Sequence, residues 1–159
     1  MSEKREKKRS YIKAISAIYR YSQVHIGEQT ARYRIGKGQW FYLTQLLFNQ
    51  DGLTQEELSG KLYVDKANTA RALKKLEEEG YIIRVGDRED ARKKRIYVTE
   101  KSKEFEHEFH AIFKGLNSIL VKGFTDDEKE VARDLLYRML DNIVAHRAIQ
   151  DAETENEEV

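Results

Sequence analysis

The sequence predicts a mostly helical protein that carries one small β-hairpin. The chain has 159 residues and no proline, the residue that most strongly breaks helix interiors. Apolar residues recur at helical spacing near both ends of the chain. Two short runs rich in β-branched and aromatic residues, 81–85 and 95–98, flank a charged loop and are typical of a hairpin.

The first third of the chain predicts two helices. Tyr11, Ile15 and Tyr19 share one face of an amphipathic helix that we expect to reach about residue 33. The segment 35–38 contains two glycines, which favour a loop that ends this helix. Residues 39–49 are apolar on most sides, which favours a second helix that is buried.

The middle third predicts two capped helices. Thr54 and Glu57 have the spacing of a capping box, in which a hydroxyl and a carboxylate accept hydrogen bonds from the free amides of the first turn. Asp65 is a good N-cap for a following helix over 66–79, and Gly80 ends that helix.

The last third predicts two longer helices. Phenylalanines and other apolar residues form a stripe over 105–124. A second capping box, at Thr125 and Glu128, starts the final helix. We expect charged, mobile tails at 1–10 and 148–159.

Charge is segregated along the chain, although the net charge is only +1. The segment 151–159 has five acidic residues and no basic one, so the rest of the chain carries +6. Basic residues concentrate in 61–76, with five against one acid, and in 84–95, with six against three. Such local clusters indicate a surface that attracts an anionic partner.

The composition excludes several classes of protein. No cysteine is present, which excludes disulfides, thiolate metal sites and cysteine nucleophiles. No apolar run approaches the roughly 20 residues that cross a bilayer, and the charged first ten residues are unlike a signal peptide. We therefore expect a cytoplasmic protein with no membrane partner. The sequence contains no phosphate-binding loop, nucleophile elbow or metalloprotease motif, so we predict neither an enzyme nor a cofactor.

A capped helix, a tight turn, a second helix and a basic hairpin together form the winged helix-turn-helix pattern. The second helix can enter the major groove of DNA, and the hairpin tip can place an arginine in the minor groove. Asn68 can pair with adenine, the Thr69 methyl can contact thymine, and Arg71 can reach guanine or phosphate. Alternatively, Asn68 only satisfies the helix start and Arg71 contacts only phosphate. The predicted DNA contacts are Thr54 and Gln55 at the first helix, Lys66, Ala67, Asn68, Thr69, Arg71 and Lys74 at the second helix, and Arg88, Asp90, Arg92, Lys93 and Lys94 in the hairpin.

The segment 53–99 resembles the MarR (multiple antibiotic resistance regulator) family of dimeric winged-helix transcription factors. The most specific match is Asp-Arg-Glu-Asp-Ala-Arg at 87–92, followed by Val-Thr-Glu-Lys at 98–101. Two predicted helices precede the motif and two follow it, so the resemblance covers about residues 11–147. Further matches are Leu-Thr-Gln-Glu-Glu-Leu at 53–58, Val-Asp-Lys at 64–66, Thr-Ala-Arg at 69–71 and Leu-Glu-Glu-Glu-Gly-Tyr-Ile at 76–82.

The resemblance implies a homodimer that binds a pseudo-palindromic operator and usually represses transcription, associated with the nucleoid in a prokaryotic cytoplasm. It implies that 11–34 and 100–147 form a helical dimerisation region around a DNA-binding domain at 35–99. It also implies that Arg92 enters the minor groove while an ion pair with Asp90 braces it. The predicted dimer interface contains Ile12, Ile15, Leu136, Leu140 and Ile143.

Aromatic residues on the first two predicted helices allow a ligand-binding interpretation. In the resembled family an effector cleft lies near this region, and aromatic walls with a few polar groups suit a small planar ligand. Ordinary packing in the core and in the dimer interface is the alternative. The residues of this predicted pocket are Tyr19, Tyr21, His25, Tyr33, Trp40 and Tyr42.

Two further alternatives stay open. His107 and His110 stand three residues apart on a predicted helix and can supply half of a metal site. A solvated polar face is the simpler interpretation, so we predict no metal. The fold can also serve as a protein-interaction module without specific DNA binding, in which the acidic segment 151–159 masks the basic face.

Overall fold

The computed structural model describes residues 9–157, and it describes side chains as far as Asp151. The chain forms two compact units, Met1–Leu116 and Asn117–Val159. In chain order the elements are α1 (Tyr11–Thr30), a 3₁₀ turn (Ala31–Tyr33), α2 (Gln39–Phe48), β1 (Leu53–Thr54), α3 (Gln55–Leu62), α4 (Lys66–Glu78), β2 (Ile82–Gly86), β3 (Lys94–Val98), α5 (Glu100–Glu104), α6 (Glu106–Leu120) and α7 (Asp126–Glu157).

Three helices start with the side-chain caps that the sequence predicts. The Thr54 hydroxyl accepts a hydrogen bond from the Glu57 amide at 3.2 Å, and the Glu57 carboxylate accepts one from the Thr54 amide at 2.7 Å. Asp65 accepts an amide hydrogen bond from the first turn of α4 at 2.8 Å. Thr125 and Glu128 repeat the reciprocal arrangement at the start of α7, with distances of 3.2 and 2.8 Å. The predicted capping boxes are therefore confirmed.

The sheet has three antiparallel strands in the order β1–β3–β2, one strand more than the sequence predicts. β2 and β3 form the predicted hairpin, in which Ile82 lies opposite Val98. In β1, Leu53 pairs with Ile96. A strand of two residues is too short to show the alternation on which strand prediction depends, so the sequence did not indicate β1.

The core of the first unit lies where α2, α3, α4 and the sheet meet. Leu43, Leu58 and Leu73, one from each of these helices, are fully buried. The buried Tyr81 hydroxyl donates to the Tyr33 carbonyl at 2.6 Å, which ties the start of β2 to the turn after α1. Burial of apolar surface from these three helices and the sheet holds α3, α4 and the hairpin in one arrangement.

The predicted helix over 105–124 is observed as α6, which ends at Leu120, and a separate short helix, α5, precedes it, so that the helical region is divided at Phe105. The Phe105 ring lies 4.7 Å from the Tyr33 ring, measured between centroids. The buried Ser102 hydroxyl donates to the Tyr81 carbonyl at 2.5 Å. Both contacts are with distant parts of the chain, so helical periodicity alone did not indicate the division.

The final helix α7 continues through 148–157, where the sequence predicts a tail. Residues 1–8 and 158–159 of the predicted tails lie outside the described residues. The division into a dimerisation region and a DNA-binding domain stays a prediction. No helix in the described part of the chain combines the length and the apolar character needed to cross a membrane.

Candidate nucleic-acid interface

Helix α4 presents a row of basic and amide side chains to solvent. Ion pairs at this surface are long and exposed: Lys66 Nζ lies 3.4 Å from Glu56, and Lys74 Nζ lies 3.9 Å from Glu78. Exposed pairs of this kind contribute about 0–1 kcal/mol, so a phosphate group can compete with the carboxylates. The exposed members of the predicted set on α4 are Lys66, Ala67, Asn68, Arg71 and Lys74.

The Asn68 amide makes hydrogen bonds to two side chains of its own helix. Its Nδ2 donates to Asp65 Oδ2 at 2.5 Å. Its Oδ1 accepts from Arg71 Nη2 at 2.5 Å. Asn68 therefore connects the capping carboxylate of α4 to the guanidinium one turn further along.

The prediction that Thr69 contacts a base is wrong. Its side chain is fully buried, and its hydroxyl accepts from Ser59 at 2.9 Å and lies 3.2 Å from the Tyr42 hydroxyl. Thr69 stands four and seven residues before the buried Leu73 and Leu76, so it shares their face of the helix. This helical spacing is a signal in the sequence that identifies Thr69 as an inward-facing residue.

The wing, which comprises β2, β3 and the loop 87–93, is organised around Asp87. The Asp87 carboxylate accepts from the Glu89 amide at 2.8 Å, from the Asp90 amide at 3.0 Å and from Arg95 Nε at 2.5 Å. The two amide hydrogen bonds, followed by the hydrogen bond from Arg95, lower the pKa of Asp87 from 3.8 to about 2. The sequence analysis included Asp87 in the motif at 87–92 but did not predict its structural role, which is to fix the conformation of the loop through these hydrogen bonds.

Arg92 extends into solvent from the tip of the wing. Its side chain is 92% exposed, and its Nε lies 3.3 Å from Asp90 Oδ1. Asp90 Oδ1 also accepts from the Arg92 amide at 3.1 Å. The predicted ion pair inside the wing is therefore confirmed. Arg88, Lys93 and Lys94 are also exposed.

Two arginines attach the base of the wing to the segment that leads into α3 and to the first residue of that helix. Arg95 Nη1 donates to the Gly52 carbonyl at 2.9 Å. Arg84 Nη1 donates to Gln55 Oε1 at 3.2 Å. Of the residues predicted to contact DNA at the first helix, Gln55 thus makes an internal contact, and the Thr54 hydroxyl forms the α3 cap. Neither arginine of this attachment was among the predicted site residues.

The six residues of the predicted effector pocket fall into two groups. Tyr19 and Tyr21 are exposed on α1 and His25 is half-buried, whereas Tyr33, Trp40 and Tyr42 are buried in the core. The three buried residues contact other core residues, as expected if they serve ordinary packing and not ligand binding. Trp40 Nε1 donates to Gln23 at 3.1 Å, Tyr42 lies against Thr69, and Tyr33 packs on Phe105 and Phe109. None of the six lines the cleft at the wing or the shallow apolar depression on α7.

The histidines singled out for metal binding are exposed on α6. His110 lies edge-on to Phe48, with 5.8 Å between the ring centroids. Among the described residues, no group of three or more histidine, aspartate or glutamate side chains is placed to hold a metal ion. His107 and His110 therefore lack further ligands in that part of the chain.

The residues predicted for the dimer interface are accessible in the single chain. Ile12 is 72% exposed, Ile15 is 40% exposed, and Leu136 and Ile143 are each 55% exposed. Leu140 is half-buried. Large apolar side chains at this exposure are available for a partner, and the dimer itself stays a prediction.

Comparison with known proteins connects this geometry to a family. The family model for MarR matches residues 37–94, which include α4 and most of the wing. The HTH-type transcriptional regulator YybA of Bacillus subtilis is 34% identical over 107 residues, which are 67% of this chain and 71% of that protein.

Solved structures share the same architecture over most of the chain. A MarR transcriptional regulator from Methanosarcina mazei is 40% identical, with a TM-score of 0.77 over 84% of this chain and 95% of that one. A MarR family regulator from Listeria monocytogenes, in complex with a 26-mer DNA, is 28% identical, with a TM-score of 0.82 over 87% of this chain and 91% of that one. This chain, with its three-stranded winged helix-turn-helix, belongs to the MarR family.

Proposed function

We propose that this protein is a sequence-specific DNA-binding transcriptional regulator that represses by binding a pseudo-palindromic operator as a homodimer. The observation that carries the proposal is the exposure of two basic surfaces on one winged helix. These surfaces are the α4 row and the wing tip, where Arg92 is almost fully exposed beside Asp90. The Listeria relative with the same fold is in complex with DNA, which supports DNA as the partner.

The two basic surfaces suit the two grooves of DNA. The major groove is about 12 Å wide and admits a helix such as α4, whose first turns carry Asn68 and Arg71. The minor groove is narrower and has the stronger negative potential, which attracts an arginine such as Arg92. In a two-fold dimer, the α4 helices enter successive major grooves about 34 Å apart, so the half-sites are about 10 base pairs apart.

Much of the affinity comes from lysines and arginines that contact phosphates. Lys66, Lys74, Lys93 and Lys94 are exposed and can each displace a counterion from DNA. Binding therefore weakens steeply as the salt concentration rises. These contacts position the protein but do not distinguish one base sequence from another.

The homodimer and the repression follow from the same arrangement. Exposed apolar residues on α1 and α7, such as Ile12 and Ile143, gain stability when a second copy covers them. A dimer that occupies about two turns of DNA excludes other proteins from that site. Release of the DNA in response to a small aromatic ligand stays a prediction. Three of the six side chains of the predicted effector pocket are buried in the core, which leaves fewer of them to contact a ligand.

The proposal is tested with the purified full chain on the DNA upstream of its coding sequence, with a scrambled duplex for comparison, over a series of salt concentrations. We expect a large ratio of specific to non-specific affinity and a steep salt dependence. Arg92→Ala is expected to weaken specific binding about tenfold or more and to reduce the salt slope by about one, without lowering the melting temperature.

Arg138→Ala is the matched control, since Arg138 is an exposed arginine on α7. We expect its DNA affinity to equal that of the wild type. If Arg92→Ala also binds like the wild type, the proposed minor-groove contact of Arg92 is wrong. Equal and weak binding to both duplexes contradicts the proposed function and favours the protein-interaction module.

A further inference from the structure

Three side chains form a continuous hydrogen-bonded chain along the first two turns of α4. Asp65 Oδ1 accepts from the Asn68 backbone amide at 2.8 Å, and Asp65 Oδ2 accepts from Asn68 Nδ2 at 2.5 Å. Asn68 Oδ1 in turn accepts from Arg71 Nη2 at 2.5 Å. The residues are spaced three apart, which places neighbours in this chain on adjacent turns of one helix face.

These contacts engage the two groups with which an asparagine reads adenine. A bidentate contact with adenine requires both the Nδ2 donor and the Oδ1 acceptor of the same amide. In Asn68 the donor is bonded to a carboxylate and the acceptor to a guanidinium, and both hydrogen bonds are of the stronger, charge-assisted kind. The amide nitrogen keeps a second N–H and the amide oxygen a second lone pair, but the two contacts fix the orientation of the Asn68 amide. Turning this amide toward a base breaks them, so Asn68 is less suited than a free asparagine to read adenine.

Arg71, unlike Asn68, keeps several donors that can contact a base. It is exposed, and the Asn68 contact uses one of the five N–H donors that a guanidinium carries. The remaining donors include a pair that fits the O6 and N7 acceptors of guanine. Arg71 is also the sole arginine in the α4 sequence, and the lysines on this helix lack a planar pair of donors.

We propose that Arg71 reads a guanine in each half-site, and that Asn68 is a positioning residue that holds the Arg71 guanidinium in the orientation for this contact. The inference rests on the proposed function and makes it more specific. The physical basis is pre-organisation: a side chain already fixed by a hydrogen bond loses less conformational freedom when it binds. Asp65 anchors the arrangement because it also caps the helix and has little freedom itself.

The test uses the full chain to select duplexes from a random-sequence DNA pool. Affinity is then measured on the enriched sequence and on versions in which each base pair is changed in turn. We expect the wild type to discriminate for one G·C pair in each half-site. Arg71→Ala is expected to lose this discrimination by about tenfold or more, and Arg71→Lys is expected to lose part of it, because an ammonium lacks the planar pair of donors that matches the two acceptors of guanine.

The Asn68 variants separate positioning from direct reading. Asn68→Ala is expected to weaken discrimination for the same G·C pair about threefold, with no change at other base pairs. Asn68→Asp keeps an acceptor for Arg71 but removes the donor to Asp65, so we expect it to lose less of the G·C discrimination than Asn68→Ala does, although the added negative charge lowers its overall affinity for DNA. If Asn68→Ala instead abolishes a preference for an A·T pair and leaves the G·C preference intact, Asn68 reads adenine and the inference is wrong.

A double-mutant cycle supplies a readout that a purely structural role for Asn68 does not produce. In the Arg71→Ala background, Asn68→Ala is expected to have no further effect on affinity or base preference. An effect of equal size in both backgrounds contradicts the inference. Asn68→Ala keeps the backbone amide that Asp65 caps, so the melting temperature serves as the control for folding.

The failure of this inference can be distinguished from the failure of the proposed function. If the wild type enriches no sequence over the starting pool, the proposed function itself fails. If it enriches a sequence and Arg71→Ala retains every base preference, only the present inference fails. Lys74→Ala is the matched control on the same helix, and it is expected to weaken binding to all sequences alike, as loss of a phosphate contact does.

Discussion

At the scale of single residues, the Thr69 hydroxyl links three helices. It accepts from Ser59 on α3 at 2.9 Å and lies 3.2 Å from the Tyr42 hydroxyl on α2, and all three residues are buried. Thr69→Val keeps the shape of the side chain but leaves the other two hydroxyls without this partner. We expect a loss of about 1–3 kcal/mol in the free energy of unfolding, measured by urea denaturation.

Ser59→Ala is the companion variant that identifies the cause of this loss. Replacing both residues removes the Ser59 donor together with its acceptor, so we expect the double variant to lose less stability than the sum of the two single variants. If the two losses simply add, the Ser59 and Thr69 hydroxyls do not interact, and the stability of the helix pair comes from apolar packing alone.

The environment of some of these residues could be predicted from the sequence, and that of others could not. The inward orientation of Thr69 follows from its spacing to Leu73 and Leu76, and a stricter use of helical periodicity would have identified it. The contacts of Asn68 are set by two side-chain orientations, which periodicity does not specify. Tyr63 adopts a left-handed backbone conformation, with φ of 55°, after α3. This conformation favours glycine or asparagine, so its occurrence at a tyrosine could not be predicted.

At the scale of elements, the shape of the wing depends on the charge of Asp87. Its hydrogen bonds lower the pKa of the carboxyl to about 2 in the folded chain, below the ordinary value of 3.8. A group whose pKa is lower in the folded state contributes stability above the unfolded-state pKa and loses it as the pH falls through the folded-state pKa. We therefore expect Asp87→Asn to be less stable than the wild type near pH 6. The difference in unfolding free energy is expected to shrink as the pH falls from about 4 to about 2.

Glu89→Gln is the matched control for this pH dependence, because it removes the same charge from the same loop. Glu89 is exposed, and within the described part of the chain no group donates a hydrogen bond to its carboxylate. We expect its stability to follow that of the wild type at every pH. Parallel curves for Asp87→Asn and the wild type between pH 6 and pH 2 contradict the assigned role of Asp87.

The elements themselves were predictable where a local signal exists. Capping boxes and glycines mark helix ends through contacts within a few residues, and the predicted starts at Asp65 and Thr125 are confirmed. β1 and the division at Phe105 depend on partners that are distant in the sequence, namely Ile96 and Tyr33. Local patterns carry no information about such partners, which is why these two features appear only in the structure.

At the scale of the whole molecule, α7 presents an exposed apolar face to solvent. Leu136 and Ile143 are each 55% exposed, and they lie seven residues apart on one face of this helix. Such a repeated apolar face is stable in water when a second copy covers it. The wild type is therefore expected to have a mass in solution of twice the 18.7 kDa of the chain.

Ile143→Glu tests this arrangement, because a charge buried between two copies is strongly unfavourable. We expect the mass measured by light scattering at micromolar concentration to fall to that of one chain. Specific DNA affinity is expected to fall by at least about a hundredfold, since one half-site then binds alone. Arg138→Glu places the same residue on the opposite face of α7, and we expect it to stay dimeric. A dimeric Ile143→Glu variant, or a monomeric Arg138→Glu variant, shows that a different face of the helix joins the two copies.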